Sequence, residues 1–374
     1  MHWLGFVAGV VLLVVNTRNV LRTLVVPRPP PRTGPGTVML RLVRVSFRTT
    51  AGRFRGYPAK DRLLAWQEPI ALIALLATWL AFVLVGYALV LWPLAHHGFG
   101  EDLVEAGSSM FTLGFVATHG GARVVDFVAA ATGLVIVALV IAYLPALYSA
   151  FSRREALVTM LESRAGVPAW GPELLVRHQL VGIADGLPGL YAAWEQWAAD
   201  VAETHTTYPS LIYFRSPHAE YSWVIGLLAV LDSAALYWAV SPSLAPSQAR
   251  LCLRMGFSAL RDVARVTRIP FDPDPDPEAP IALPEEDFYQ AVQYLRQSGF
   301  PVERDPEAAW PHFRGWRVNY ESVAYALCEL VVAPPAPWAG PRRHLPPEPL
   351  PIRRPVDRRP RAAPPHRPLR RPVP

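Results

Sequence analysis

Cysteine is nearly absent: Cys252 and Cys328 are the only two in 374 residues. That excludes a disulfide framework and any CxxC metal spacing, so both read as free thiols. Charge is scarce as well. Asp, Glu, Lys and Arg make up 18% of the chain, below the roughly 25% of ordinary soluble domains. The chain contains no G-x-x-x-x-G-K-[ST], G-x-G-x-x-G, G-x-S-x-G or H-E-x-x-H. Phosphate-loop, dinucleotide, nucleophile-elbow and zinc-protease chemistry are therefore not expected. The remaining carboxylates and histidines form no defensible catalytic spacing, so neither an enzyme nor a resident cofactor or metal is expected. Alternating strand patterns are sparse and no internal repeat is visible, which leaves an all-α reading.

Long uncharged runs are what the chain has in their place. Pro69 to Ala95 is 27 residues without Asp, Glu, Lys or Arg, and Phe127 to Ser152 is 26 more. A bilayer core takes about 20 apolar residues as a helix, so both read as transmembrane spans. Residues 1–26 read as a third, retained helix. Its basic residues, Arg18 and Arg22, follow the apolar run, whereas a secretory signal peptide would begin with them.

Arginine and lysine distribution predicts the orientation. Between Thr17 and Glu68 lie ten arginines and Lys60, opposed only by Asp61 and Glu68. Residues 27–68 therefore read as a basic cytoplasmic loop, with the N-terminus outside. The segment from Pro93 to Arg123 carries one basic residue against Glu101, Asp102 and Glu105, which places it outside. Arg153 and Arg154 after the last run place the long C-terminal part inside.

Between the two strongest runs, Glu101 to Met110 reads as one short helix with acidic residues in its first turn, where the helix dipole favours them. The uncharged stretch Thr112-Leu113-Gly114-Phe115-Val116 follows. Non-helical backbone at membrane depth is tolerated only where it is buried in protein or lines water. Carbonyls and a threonine hydroxyl pointing at an axis can replace a cation's hydration shell. The order apolar run, short helix, Thr-Leu-Gly-Phe, apolar run resembles the potassium-channel pore family over residues 69–152. The resemblance implies an outer helix, a pore helix, a filter at Thr112–Phe115 and an inner helix. It further implies a homotetramer, because one filter segment cannot close a pore alone, and a permeating monovalent cation, K+ by preference. The family pattern has a second glycine where Val116 stands, a threonine where Phe111 stands, and commonly an acid where Ala117 stands. A β-branched residue resists the positive φ of a filter glycine, so the outer filter is expected to depart from the family geometry. Gly133 and Pro145 in the second run are gate candidates, since both permit bends. His96, His97 and His119 read as residues of a solvated outer loop.

The remainder is expected to be a helical cytoplasmic domain over residues 153–333. Helices are predicted within Glu173–Glu203, Ser243–Arg268, Pro284–Ser298 and Tyr320–Val332. Trp223–Val240 has Asp232 as its only charge and reads as a buried core helix, with Asp232 paired to an arginine or to His178. Ile269–Leu283 reads as a loop. From Pro334 to Pro374 there are fifteen prolines and ten arginines, a composition that predicts a disordered tail. The basic loop and tail would suit anionic lipid; nucleic acid is not an expected partner. The alternative to a channel is a membrane-anchored scaffold or signalling protein with a non-conducting hairpin.

Overall fold

A computed structural model of the chain describes residues 2–26, 34–95, 98–116 and 119–340. The expectations for His96, His97, Ala117 and the stretch 341–374 lie outside these residues. Among the described residues there are thirteen α-helices and no strand. Helix α1 (His2–Leu24) packs antiparallel along α4 (Gln67–Ala95). At their crossing a Cβ on Gly9 would lie 2.6 Å from the Gly86 carbonyl oxygen. Small residues permit that approach between apolar helices. Lower on the same face, buried Asn16 donates its Nδ2 to the Trp79 carbonyl at 3.1 Å.

The segment read as a basic loop holds two helices, α2 (Pro35–Ala51) and α3 (Tyr57–Leu64). Each carries proline in its first turn, where a missing N–H costs nothing. Helix α2 packs against α4. Helix α5 (Phe99–Met110) sits between α4 and α6 (Ala122–Ala165). The 44 residues of α6 span about 66 Å at 1.5 Å per residue. It is unbroken through Pro145 and continues past Arg153 and Arg154 into the C-terminal part, where Val158 and Leu161 join the main core.

That core is built on α9 (Trp223–Val240), following α7 (Gly171–Val181) and α8 (Leu187–Thr207). Every α9 residue except Trp238 is buried. The covering helices are α7, α8, α10 (Ser247–Thr267), α12 (Pro306–Arg317) and α13 (Glu321–Leu330), while α11 (Glu285–Gln297) packs on α7 and α12. Four helices, α1, α4, α6 and α9, are long and apolar enough to cross a membrane. That is compatible with a membrane protein. Helix α9 is enclosed by protein all round, the arrangement of a core helix. Asp232 finds its partners in Arg317, Nη1 to Oδ2 at 2.7 Å, and in the Tyr320 hydroxyl at 2.9 Å. His178 is not among them, since its Nδ1 bonds the Leu174 carbonyl at 2.7 Å.

Packed structure extends past the boundary that composition suggested at residue 333. Trp338 is 1% exposed and meets Trp170 and Phe313 edge-on. Its carbonyl accepts from Arg317 Nη2 at 2.7 Å and from the Tyr325 hydroxyl at 3.0 Å. Proline there interrupts helix but not burial. Two arginines lock the C-terminal part to the N-terminal helices. Arg154 is fully buried in α6 and donates to the Leu211 and Phe214 carbonyls at 2.6 and 2.8 Å, beside Glu155 and His205. Arg215 reaches Asp61 and Tyr57 of α3 and the carbonyls of Val331 and Val332.

Candidate functional site

Helix α5 begins with Glu101 and Asp102 in its first turn, consistent with the dipole. Burial adds what charge counting missed. Asp102 and Glu105 lie against the bundle while Glu101 faces outward. Ala106 and Met110 join Trp79, Val83, Tyr87, Ala88, Ala129 and Ile136 in one apolar cluster. The carboxyl end of α5 is wedged into α6. A Cβ on Gly133 would lie 2.3 Å from the Met110 carbonyl oxygen. Gly133 is eleven residues into α6, or about 16 Å along its axis. Gly107 faces Leu84, which is eleven residues from the end of α4, so both long helices place the tip of α5 at the same level. Ser109 Oγ donates to Asp126 Oδ1 at 2.7 Å, fixing the rotation of α5.

The chain then turns back. Leu113 N–H donates to the Ser108 carbonyl at 2.8 Å and Thr112 N–H to the Ser109 carbonyl at 2.9 Å. Those two bonds form a Schellman ending. The left-handed position of that motif usually holds glycine; here it is Thr112, at φ 55. A β-branched side chain in this region is a true backbone outlier. Phe115 N–H reaches the Ser108 hydroxyl at 3.1 Å, and Gly114 also has positive φ, 68. Thr112, Leu113, Gly114 and Phe115 are all exposed in the single chain, and Val116 is half-buried. Val116 does not carry positive φ, so the strain expected at that position falls at Thr112 instead.

Gly133 thus has a packing role: only glycine admits the α5 tip at that distance. Pro145 lies within α6 with the helix continuing on both sides. His119 is exposed. Among the described residues no group of three or more His, Cys, Asp or Glu side chains is placed to hold a metal ion. Sequence reasoning also missed Ser108, whose carbonyl and hydroxyl together organise residues 113–115; nothing in its spacing marks it. Comparison with protein-family models, curated proteins and solved structures finds no match.

Proposed function

We propose that this chain is the subunit of a cation channel, potassium preferred, in which four copies bring the carbonyls of Thr112 to Phe115 around a common axis. One observation carries the reading: an exposed, non-helical run of backbone begins about 16 Å along two long apolar helices, roughly halfway through a 30 Å hydrocarbon layer. Carbonyls and N–H groups facing lipid there would each cost several kcal/mol. Water in a pore, permeating cations and neighbouring copies remove that cost. Backbone strain at Thr112 points the same way, since such outliers concentrate at functional sites. Helix α6 also leaves Phe127, Leu134, Val135 and Ile141 uncovered, a face available to a neighbouring inner helix or to lipid. In this reading α4 is the outer helix, α5 the pore helix and α6 the inner helix. The N-terminus lies outside and the domain built on α9 lies in the cytoplasm.

The rival reading, a membrane-anchored scaffold or signalling protein, draws on Val116 in place of a second filter glycine. One experiment separates them. Purified chain in planar bilayers, with potassium and sodium on opposite sides, is compared with Gly114→Asp. A tetramer whose current reverses near the potassium potential and vanishes in the variant is expected. A stable monomer or dimer without current would refute the channel and favour the scaffold.

A further inference from the structure

Where the N-terminal helices meet the C-terminal domain there is a cavity of about 550 Å³. Its walls come from α1, α2, α4 and α6 on one side, and from the Pro209–Tyr213 turn and the ends of α10 and α13 on the other. Six arginines line it: Arg41, Arg44, Arg48, Arg215, Arg265 and Arg268. No Asp or Glu does. Three of the six are already engaged. Arg44 forms a bidentate pair with Glu68, both contacts 2.9 Å, and lies 3.8 Å over the Tyr213 ring. Arg215 is paired with Asp61 and Arg265 with Asp262. Arg41, Arg48 and Arg268 have no carboxylate partner among the described residues. Six guanidinium groups against three carboxylates leave an excess of three positive charges around one cavity.

Charge is half of the description. Beyond the arginines the wall has an apolar part, with Leu72, Leu75 and Val140 from α4 and α6, beside uncharged polar Asn19, Thr23, Gln67 and Ser210. In that apolar part lies the indole of Trp79, 1% exposed, whose buried Nε1–H has no hydrogen-bond partner among the described residues. An unpaired buried donor costs free energy until an acceptor meets it. The geometry points to a ligand with a phosphate at one end, for the guanidinium forks, and an apolar part carrying an acceptor such as an ester oxygen at the other. We infer that this cavity binds a phosphate-bearing anion, and the Trp79 donor favours an anionic phospholipid over a free phosphate. The inference stands apart from ion conduction.

The test uses the full chain in detergent. Native mass spectrometry reads binding of phosphatidic acid against phosphatidylcholine, and calorimetry reads inorganic pyrophosphate as the soluble source. The triple variant Arg41→Gln/Arg48→Gln/Arg268→Gln removes the three uncommitted charges without breaking an ion pair of the fold. Loss of three such contacts should weaken anion binding by about tenfold or more. A control, Arg53→Gln/Arg55→Gln/Arg62→Gln, removes equal charge from the same basic segment outside the cavity. Trp79→Phe keeps an aromatic ring at that position and removes the donor. Phosphatidic acid binding that falls in the triple variant and in Trp79→Phe but persists in the control supports the site with a lipid occupant. Pyrophosphate binding that falls only in the triple variant supports the site with a soluble occupant. Equal loss in the control, or no binding of either anion, overturns the proposal.

Discussion

Replacing Gly133 by alanine tests the wedge between α5 and α6 through the sign of its effect. A Cβ there would sit 2.3 Å from the Met110 carbonyl oxygen, 2.7 Å from Met110 Cγ and 3.1 Å from its carbonyl carbon. Ordinary contact begins near 3.4 Å, so the backbone end of α5 has to retreat by roughly 1 Å. Overpacking of this kind costs about 1–3 kcal/mol. Alanine in a helix interior gains about 1 kcal/mol over glycine, which offsets part of it. Gly107→Ala supplies the contrast, because its nearest neighbour is Leu84 Cδ1 at 3.5 Å. There the helix gain stands almost alone. Thermal unfolding in one detergent should therefore move in opposite directions for the two variants, with a gap of about 1–3 kcal/mol between them. At a few degrees per kcal/mol, that gap is measurable. Gly133→Ala as stable as Gly107→Ala would refute the close packing of α5 on α6, and the re-entrant reading with it. If Gly133 acted only as a bend, alanine would stiffen α6 and stabilise the protein.

Thr112→Gly relieves a left-handed threonine worth roughly 1–2 kcal/mol and adds unfolded-chain entropy of roughly 0.5–1 kcal/mol. A net gain of a few tenths to about 1 kcal/mol is expected in denaturant titration; a loss would mean that the turn is not left-handed there. Asp232→Leu strands Arg317 in the core, and removing one partner of a buried pair costs about 3–5 kcal/mol. Glu321, which contacts Arg317 Nε at 2.9 Å, should hold the loss to the low end, read by chemical unfolding of the C-terminal domain. His205 and His178 have pKa values held below the ordinary imidazole value, in both cases chiefly by burial, with Arg154 adding to the effect at His205. The folded state therefore excludes their protons. Stability is complete above pH 6.5 and declines as pH falls below it, by up to about 1.4 kcal/mol per pH unit for His205 and over a narrower pH range for His178, whose shift is the smaller. Unfolding measured at pH 7.5 and 5.5 shows the slope, and His205→Gln should flatten it.

Periodicity and apolar run length carried much of the architecture. Residues 223–240 are one helix, predicted and observed with the same ends, because eighteen residues with a single charge offer no other place to stop. Within Glu173–Glu203 the sequence suggests an interruption near Gly186–Gly189, whereas α7 already ends at Gly182, in the left-handed conformation. Helices α2, α3 and α12 were not seen. Arginine density makes residues 27–68 read as a loop, yet Gly36, Leu40 and Arg44 stand at helical spacing and face the cavity and α4. Helix α12 carries two prolines, Pro306 and Pro311; the first occupies the helix start, where proline is at home. Arg154 illustrates a different blindness. Read as one of two topogenic charges at the end of a span, it is a fully buried clamp whose partners are backbone carbonyls nearly sixty residues away. No local pattern announces a long-range acceptor.

The turn after α5 places its backbone strain where its residue types do not suggest it. By the resemblance, Val116 stands at the position of a second filter glycine and is the residue that positive φ would strain. Ser108 moves the strain four residues back, from Val116 to Thr112, toward the position where the helix ends. Its carbonyl captures the Leu113 N–H, its neighbour's captures Thr112, and closing both rings drives Thr112 left-handed. Once the chain has reversed there, Gly114 makes the second positive-φ turn and Val116 is left with an ordinary backbone. A missing second glycine therefore removes no conformation that this loop adopts. The channel proposed above needs Thr112 to Phe115 non-helical and exposed, and the reversals at residues 112 and 114 deliver that run without a second glycine.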